Sequence, residues 1–279
     1  MYRVKKVLNH NSVIAVKAGD KNEYLILGKG VGFGKKISER VECRTEDTVY
    51  SLQELTDRGN AKEIVKTVSP ICLELANEVL NRAEQEFGKI DRMILFPMAD
   101  HIEYAVRRIK RKEQISNPLT EDIRVLFYKE YKIAQCMEQL LWDNLGVRID
   151  EHEIGYIALH VHSAIEDEKV SQAMKIAGAV RECISLVEEQ TGKKIDVMTL
   201  AYNRLMNHVR YMVARALSGE HLKLNMNDYM EIKFPEAFRV AEKICEEVGH
   251  SLKRTLDDAE VGYLAMHIER VTSDEVQSE

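Results

Sequence analysis

Two patterns of apolar spacing divide the chain near residue 60. In the first fifty residues, short runs rich in β-branched residues alternate with turn-forming residues, which is typical of strands. The predicted strands are 2–9, 12–17, 23–27 and 47–52. From about Ala61 onward, apolar positions recur every 3.6 residues, which predicts long helices. The clearest predicted helices are 71–87, 120–145, 175–190 and 235–248.

These patterns predict a multidomain chain, in which a small all-β domain with an antiparallel sheet precedes all-α helical bundles. The β-domain has little core for its size, so we expect it to be dimeric. A polar connector at 53–60 and a charged break at 166–171 separate the parts. The predicted domains are residues 1–55, 61–168 and 172–279.

An internal repeat shows that the two helical domains are homologous. The segment EIGYIALHV at 153–161 returns as EVGYLAMHI at 260–268, an offset of 107 residues. Each copy also carries a second histidine 59 residues before the one in this motif. The repeat therefore pairs His101 and His160 of the first copy with His208 and His267 of the second.

The formal net charge of −6 is unevenly distributed along the chain. Residues 1–52 hold ten Lys or Arg against six Asp or Glu, a net charge of +4, and the remainder carries −10. A phosphate-binding surface is therefore expected at the N-terminal end. The widely spaced cysteines, the absence of long apolar runs and the absence of a secretory signal predict reduced thiols and a cytoplasmic location, without membrane insertion.

The repeated histidines allow three interpretations. They are satisfied structural side chains, or metal ligands such as His160 with His162 or His101 with His160, or sites of reversible phosphorylation. Phosphorylation requires an accessible, neutral imidazole and a nearby cation, which Arg108 and Arg215 would supply. No carboxylate or cysteine completes a metal set at ligand spacing in both copies, so no metal and no cofactor is predicted.

The run GKGVGFG at 28–34 has neither a phosphate-loop lysine motif nor the strand-to-helix context of a dinucleotide fingerprint. The glycines either form a loop between strands or let the backbone approach a ligand closely. Phe33 lies between Lys29 and the pair Lys35 and Lys36, an arrangement that suits stacking on an unpaired base beside neutralised phosphates. The turn Asn9-His10-Asn11 adds amide groups that recognise base edges.

These motifs resemble a known family. VKKVLNHNSVIAV and LILGKGVGFGKK are similar to the co-antiterminator RNA-binding domain of the BglG/SacY/LicT antiterminators. The duplicated DHI…GYIALHVH and NHV…GYLAMHIER resemble the two PTS regulation domains of that family. The resemblance covers essentially the whole chain, and GKGVGFGKK and IALHVHSA are most similar to the branch that controls the glucose phosphotransferase operon.

The resemblance implies a dimeric β-domain that binds a ribonucleic antiterminator, a stem-loop in nascent mRNA, and so prevents formation of a terminator hairpin. Lys29 stands where many members have Arg, and a lysine cannot make a planar bidentate contact with guanine. Gly34 stands where many have Gln or Asn. The RNA-contacting residues implied by the resemblance are Lys6, Asn9, Asn11, Gly28, Lys29, Gly30, Phe33 and Lys35.

The same resemblance implies that the histidines accept phosphate. The sugar permease (enzyme II of the phosphotransferase system) would phosphorylate His101 and His160 and inactivate the protein. The carrier protein HPr would phosphorylate His208 and His267. His162 is treated as accessory, because Glu269 is its equivalent in the second copy.

Two other classes of protein compete with this interpretation. An enzyme, either a histidine-dependent phosphatase or a metal hydrolase, would turn over a substrate or bind metal. A DNA-binding regulator with the same regulatory domains would begin with a helix-turn-helix. The N-terminal region here is strand-rich and too short for one, so we expect no DNA binding and no catalytic residues.

Overall fold

The computed structural model describes residues 1–20, 22–53, 55–56, 59–166, 168–196 and 199–273. Parts of the turn between the second and third predicted strands, of the connector at 53–60 and of the break at 166–171 lie outside these residues, as does the end of the predicted domain 172–279. The chain forms two compact units, Met1–Val170 and Ser171–Glu279.

The first unit begins with a five-stranded antiparallel sheet in the order β4-β1-β2-β3-β5. Three predicted strands are confirmed, and the fourth is shorter than the predicted 47–52. A strand at 40–41 was not predicted, because it holds a single buried apolar residue, Val41. The strands are β1 (Tyr2–Asn9), β2 (Ser12–Lys17), β3 (Glu23–Leu27), β4 (Arg40–Val41) and β5 (Thr48–Ser51), followed by a small hairpin of β6 (Leu55–Thr56) and β7 (Gly59–Asn60).

The rest of the described chain is helical, which confirms the predicted order of an antiparallel sheet followed by all-α domains. Dimerisation of the β-domain stays a prediction. The first helices are α1 (Ala61–Thr67), α2 (Pro70–Phe87), a short 3-10 helix (Arg92–Ile94), α3 (Leu95–Lys110), α4 (Thr120–Leu126), α5 (Tyr128–Ala134), α6 (Cys136–Leu145) and α7 (Glu151–Ile165). The later helices are α8 (Val170–Thr191), α9 (Leu200–Ser218), α10 (Asn227–Lys233), α11 (Pro235–Leu252) and α12 (Ala259–Thr272).

The repeat of 107 residues in the sequence is also a repeat of helices. Shifted by 107, α4 coincides with α10, and the span of α5 and α6 coincides with α11. Helices α3 and α9 carry the first histidine of each copy, and α7 and α12 carry the second. Each histidine pair is therefore formed by two helices that are far apart in sequence.

The prediction of one helix over 120–145 was wrong. The helix is interrupted at Phe127, whose backbone (φ −116°, ψ 47°) is not helical and whose side chain is fully buried against the ring of His162. A second, slight interruption follows at Gln135. Phe234 makes the equivalent break in the second copy (φ −137°, ψ 62°), where the following Pro235 disfavours a helical conformation of the residue before it. In the first copy, Tyr128 stands in place of the proline, so the sequence does not indicate a break at Phe127.

Within the described part of the chain, no helix has both the length and the apolar character required to cross a bilayer. The five cysteines are free thiols, as the sequence predicted, and Cys72, Cys183 and Cys245 are buried. The sheet and the helices together place two candidate sites: the turn between β1 and β2, and the histidine pairs.

Candidate RNA-binding surface and histidine pairs

The turn between β1 and β2 and the glycine loop at 28–34 form one surface. The backbone N–H of Gly28 donates to the carbonyl of Asn11, and that of Gly32 donates to the carbonyl of His10, both at 2.9 Å. The N–H of Gly30 donates to the side-chain oxygen of Asn11 at 2.9 Å. Two segments separated in sequence are therefore joined at the amide-bearing turn.

The amides of Asn9 and Asn11 are oriented by bonds within this surface. The Asn9 oxygen accepts from the backbone N–H of Asn11 at 2.9 Å and from the hydroxyl of Ser12 at 2.7 Å. The Asn11 oxygen accepts from Gly30. Because both oxygens are used inside the turn, both side-chain NH2 groups are left to donate to an acceptor outside it.

Phe33 is the exposed aromatic residue of this surface, with 69% of its area accessible. Its ring contacts the ring of His10 edge-on, with centroids 5.3 Å apart. Lys29, four residues before Phe33, is exposed. The ammonium of Lys35 donates to the carbonyl of Arg40 at 3.1 Å. Lys6 lies earlier on β1, opposite Ile14. Hydrogen bonds and a ring contact thus join Asn9, Asn11, Gly28, Gly30 and Phe33 in one surface.

Part of the glycine run has a packing role. A Cβ atom on Gly32 would collide with the backbone oxygen of Asn9, and one on Gly28 would collide with the carboxylate of Asp47. Gly30 has open space around it and a φ of +73°, which favours glycine in an exposed position. Gly28 and Gly32 therefore serve packing, and close approach of a ligand at Gly30 stays a prediction.

Helix α2 of the following domain contacts the same turn. The side-chain NH2 of Asn9 donates to one carboxylate oxygen of Glu74 at 2.5 Å, and that of Asn11 donates to the other at 3.1 Å. The sequence did not single out Glu74, because the contact joins residues more than sixty positions apart.

A second polar contact holds α2 beside the sheet. The hydroxyl of Tyr50 donates to the side-chain oxygen of Asn77 at 2.6 Å. The guanidinium of Arg92 donates to Tyr50 at 3.0 Å, to Asn77 at 2.7 Å and to Asn81 at 2.8 Å. Glu74, Asn77 and Asn81 recur at helical spacing, so one polar face of α2 borders the β-domain.

In the first helical domain, the rings of His101 and His160 lie together, with centroids 5.5 Å apart. Tyr156, one turn before His160 on α7, lies 5.5 Å from the ring of His101. Only 8% of His101 and 2% of His160 is exposed. The expectation of an accessible imidazole is therefore wrong for this conformation, and a phosphate donor would need local opening of α3 and α7.

A buried carboxylate joins this pair to an arginine. Glu153 lies in the first turn of α7, is 1% exposed, and has one oxygen 3.2 Å from the Nε2 of His101. Its other oxygen accepts from the guanidinium of Arg108. Burial alone would raise the pKa of the Glu153 carboxyl, but its contacts with His101 and Arg108 lower the pKa below its ordinary value.

The second helical domain repeats this arrangement. Glu260 lies 3.6 Å from the Nε2 of His208 and accepts two hydrogen bonds from Arg215, at 2.6 and 2.9 Å. The rings of His208 and His267 stack with centroids 4.9 Å apart. Burial, aided by the nearby His267 and Arg215, lowers the pKa of His208 to about 3. Burial also lowers the pKa of His267, so the neutral form is favoured for both imidazoles.

Arg108 and Arg215, which the sequence offered as receivers of a phosphate charge, are thus already bound to carboxylates. Glu153 and Glu260 are functional candidates that the sequence reasoning missed. The signal was present, since each is the first letter of the repeated motif and precedes the motif histidine by seven residues, two helical turns. The two glutamates were not singled out, because only the histidines of the motif were considered as functional residues.

The structure also bears on the metal alternative. Among the residues that it describes, no group of three or more His, Cys, Asp or Glu side chains is arranged to hold a metal ion. His162 is buried between two carboxylates, with Glu130 at 3.1 Å and Glu168 at 3.4 Å. Around the repeated histidines, by contrast, a single glutamate contacts one histidine and an arginine.

Comparison with known protein families matches residues 2–58 to the CAT RNA binding domain. Residues 77–164 and 181–271 both match the PRD domain. The chain belongs to the BglG/SacY/LicT family of transcription antiterminators. Members of this family are RNA-binding regulators and not enzymes, which removes the enzyme alternative, and a CAT domain occupies the place of a helix-turn-helix.

Relatives of this family match the chain from end to end. Protein GlcT of Staphylococcus saprophyticus is 30% identical over 271 residues, covering 96% of both chains. The GlcA/glcB genes antiterminator of Staphylococcus carnosus is 27% identical, covering 97% of this chain and 96% of that protein. The beta-glucoside operon antiterminator of Dickeya chrysanthemi is 26% identical, covering 98% and 97%. The crystal structure of GlcT CAT-PRDI is 30% identical with a TM-score of 0.50, covering 59% of this chain and 98% of that one.

Proposed function

We propose that this antiterminator binds a ribonucleic antiterminator stem-loop in the nascent mRNA of a glucose or related sugar operon. The names of the GlcT relatives and of the glcA/glcB antiterminator support that class of operon. Binding the stem-loop would exclude the overlapping terminator hairpin, so that transcription continues. This role requires the cytoplasm, where nascent mRNA and HPr are both present.

The surface of the turn and glycine loop is proposed to bind the RNA. The two outward NH2 groups of Asn9 and Asn11 suit acceptors on base edges or phosphates, and the exposed ring of Phe33 suits an unpaired base. Lysines would neutralise phosphates without selecting a sequence. The proposed RNA-contacting residues are Lys6, Asn9, Asn11, Gly28, Lys29, Gly30, Phe33 and Lys35.

Substitution of Phe33 tests this surface. The probe is the RNA stem-loop that overlaps the terminator upstream of the neighbouring permease gene, bound to the full chain in a gel-shift assay. Loss of one stacked base costs about 1–3 kcal/mol, so Phe33→Ala is expected to weaken binding by roughly five- to a hundredfold. Phe33→Tyr keeps the aromatic face and should bind like the wild type. Equal binding by all three proteins would remove Phe33 from the interface.

The regulatory proposal is carried by one observation: each PRD domain brings two histidine rings together beside a buried glutamate–arginine pair. We assign His101 and His160 as acceptors of phosphate from the permease, enzyme II. His208 and His267 are assigned as acceptors from HPr.

Phosphate on the first pair would change the balance of charge at Glu153. A phosphohistidine adds roughly −1.5 to −2 charges, by analogy with other phosphorylated side chains. Arg108 would then be attracted to the phosphate, while Glu153, a few ångströms from His101, would be repelled by it. The pair of helices α3 and α7 cannot keep its present arrangement with both anions, so phosphorylation would open it.

We propose that this opening controls a homodimer. Only a paired β-domain would present the complete RNA surface, and charge that meets across a two-fold axis would separate the two copies. Moving such an equilibrium from 1:99 to 99:1 requires about 5.5 kcal/mol. Several phosphates on the acidic remainder of the chain would supply repulsion in that direction.

A phosphotransfer assay tests the assignment of the histidines. The full chain is incubated with the phosphorylated relay, first with HPr alone and then with the permease domain added, and the labelled residues are mapped. HPr alone should label His208 and His267, and addition of the permease should label His101 and His160. His162→Ala should not reduce the label. Unchanged labelling of a variant that lacks all four repeated histidines would contradict the proposal.

A further inference from the structure

The contact between Glu74 and the amide turn is a contact between two domains with different roles. Asn9 and Asn11 belong to the β-domain, and Glu74 belongs to α2, which leads into the histidine-bearing helices. The carboxylate receives both amides at once, one on each oxygen, at 2.5 and 3.1 Å. Such a two-point contact with a charged acceptor is stronger than a neutral hydrogen bond.

The turn between β1 and β2 leaves the side-chain N–H groups of its two asparagines as donors on its outer side. The oxygens of both asparagines are used by Asn11 N–H, Ser12 and Gly30, so the side chains cannot rotate to offer them outward without losing those bonds. What remains on the outside is a pair of N–H donors. Their natural partner in RNA is an acceptor oxygen or nitrogen, often an anionic phosphate oxygen. The carboxylate of Glu74 has the same chemistry, with two oxygens and a negative charge.

Helix α2 is held in this position by polar contacts. Tyr50 and Arg92 bind Asn77, and Arg92 also reaches Asn81, all on the face of α2 that includes Glu74. The carboxylate of Glu74 is half-buried rather than enclosed. Contacts of this kind are typical of domain interfaces that separate and re-form, since each group finds water or another partner when the interface opens.

We propose that Glu74 of α2, the helix that leads into the first PRD domain, masks the RNA-binding turn of its own chain, so that α2 and the RNA compete for Asn9 and Asn11. The structure is the closed form, in which the turn is occupied by the regulatory domain. The apparent RNA affinity is then the intrinsic affinity multiplied by the fraction of open protein. This inference rests on the proposed role of Asn9 and Asn11 in RNA binding.

The test compares two glutamates of α2 in the full chain, with the stem-loop RNA used above as the probe. Glu74→Ala removes the mask. Glu78→Ala removes the same charge one turn further along, where the side chain binds Arg82 of the same helix at 3.1 Å. Glu74→Ala is expected to lower the Kd by about tenfold, equivalent to ~1.4 kcal/mol. Glu78→Ala should change it by less than about twofold, since it measures only the loss of a nearby negative charge.

Equal affinities of the Glu74→Ala and Glu78→Ala proteins would overturn the masking proposal. The double variant Asn9→Ala, Asn11→Ala separates this failure from that of the proposed RNA site. If the double variant binds RNA weakly while the two glutamate variants bind equally, the RNA site stands and the mask is absent. The same double variant is also made in the Glu74→Ala protein, where no mask remains. If it binds RNA as tightly as Glu74→Ala alone, the amides are not the RNA site and competition for them is excluded.

Discussion

At the scale of single residues, a buried carboxylate connects each repeated histidine pair to an arginine. Glu153 and Glu260 are both 1% exposed, and their charges are compensated by Arg108 and Arg215. A buried ion pair contributes little when it is intact, but removal of one partner leaves an uncompensated charge. The two glutamates therefore hold the helices in the arrangement that phosphorylation is proposed to disturb.

The substitution Glu153→Gln tests this role. It keeps the size of the side chain but leaves the guanidinium of Arg108, which is 13% exposed, without its counter-charge. We expect the free energy of unfolding to fall by about 3–5 kcal/mol in urea denaturation. Glu121→Gln breaks the exposed pair with Arg124 and should cost less than about 1 kcal/mol. Equal effects of the two substitutions would show that Glu153 is not compensating a buried charge.

His208 predicts how stability depends on pH. Its pKa is about 3 in the folded protein, against about 6.5 in an unfolded chain. Above pH 6.5 neither state binds the proton, and the full stability is present. As pH falls from 6.5 towards 3, the unfolded chain binds a proton that the folded protein excludes, so stability is lost.

Between pH 6.5 and 5 this effect amounts to about 2 kcal/mol for His208 alone. Urea denaturation at a series of pH values measures it. His208→Gln should reduce the slope, whereas His250→Gln, at an exposed histidine of α11, should leave it unchanged. A His208→Gln protein with the wild-type slope would contradict the burial of a neutral imidazole.

At this scale, the sequence identified side chains by their chemistry but not by their partners. The repeat revealed the four histidines, the glycine run revealed Phe33, and the turn Asn9-His10-Asn11 supplied the asparagines. Glu74 and Glu153 went unnoticed, because their importance depends on which groups folding brings beside them. A glutamate on an amphipathic helix has the same sequence signature whether it faces water, an arginine or an asparagine.

At the scale of elements, the two PRD domains differ where their helices meet. Gly155 of α7 and Gly262 of α12 occupy equivalent positions of the repeat. A Cβ atom on Gly155 would make ordinary contacts with Ile123, at 3.9 and 4.0 Å. One on Gly262 would lie 2.8 Å from the side-chain oxygen of Asn227 and 3.0 Å from its backbone nitrogen. The first glycine has room for a methyl group, and the second does not.

Alanine at these two positions should therefore have opposite effects. Gly155→Ala is expected to stabilise the protein by about 0.5–1 kcal/mol, because glycine in a helix interior is unfavourable relative to alanine. Gly262→Ala is expected to destabilise it by about 1–3 kcal/mol, since the start of α10 must shift and the bond from Gly262 N–H to Asn227 is disturbed. Thermal unfolding measures both. If both substitutions changed stability in the same direction, the two glycines would be packed alike, which would contradict the prediction.

The elements themselves were largely predictable from the spacing of apolar residues. Three strands of the sheet and the helices at 71–87, 175–190 and 235–248 agree with the structure to within a few residues. The single helix predicted over 120–145 failed because a buried aromatic residue, Phe127, breaks it without glycine or proline. Only tertiary packing distinguishes such a phenylalanine from one that continues a helix.

At the scale of the whole molecule, a basic β-domain precedes acidic helical domains that carry the proposed phosphate acceptors. The order of these parts was predictable because the motifs of the CAT and PRD domains are specific and span the chain. The contact of α2 with the β-domain was not, since two domains on one chain contact each other through surfaces that no short motif describes. At this contact, the residues proposed to bind RNA, Asn9 and Asn11, are also the residues proposed to be masked by α2.

We propose that charge on the first histidine pair decides whether the β-domain binds RNA. The most direct test is the Kd of the full chain for the stem-loop RNA before and after phosphorylation by the permease. His101→Ala, His160→Ala serves as the control that cannot receive this phosphate. Phosphorylation is expected to weaken RNA binding of the wild type by about tenfold or more, ~1.4 kcal/mol, and to leave the control unchanged. Unaltered RNA affinity of a wild-type protein that carries phosphate on His101 and His160 would contradict it.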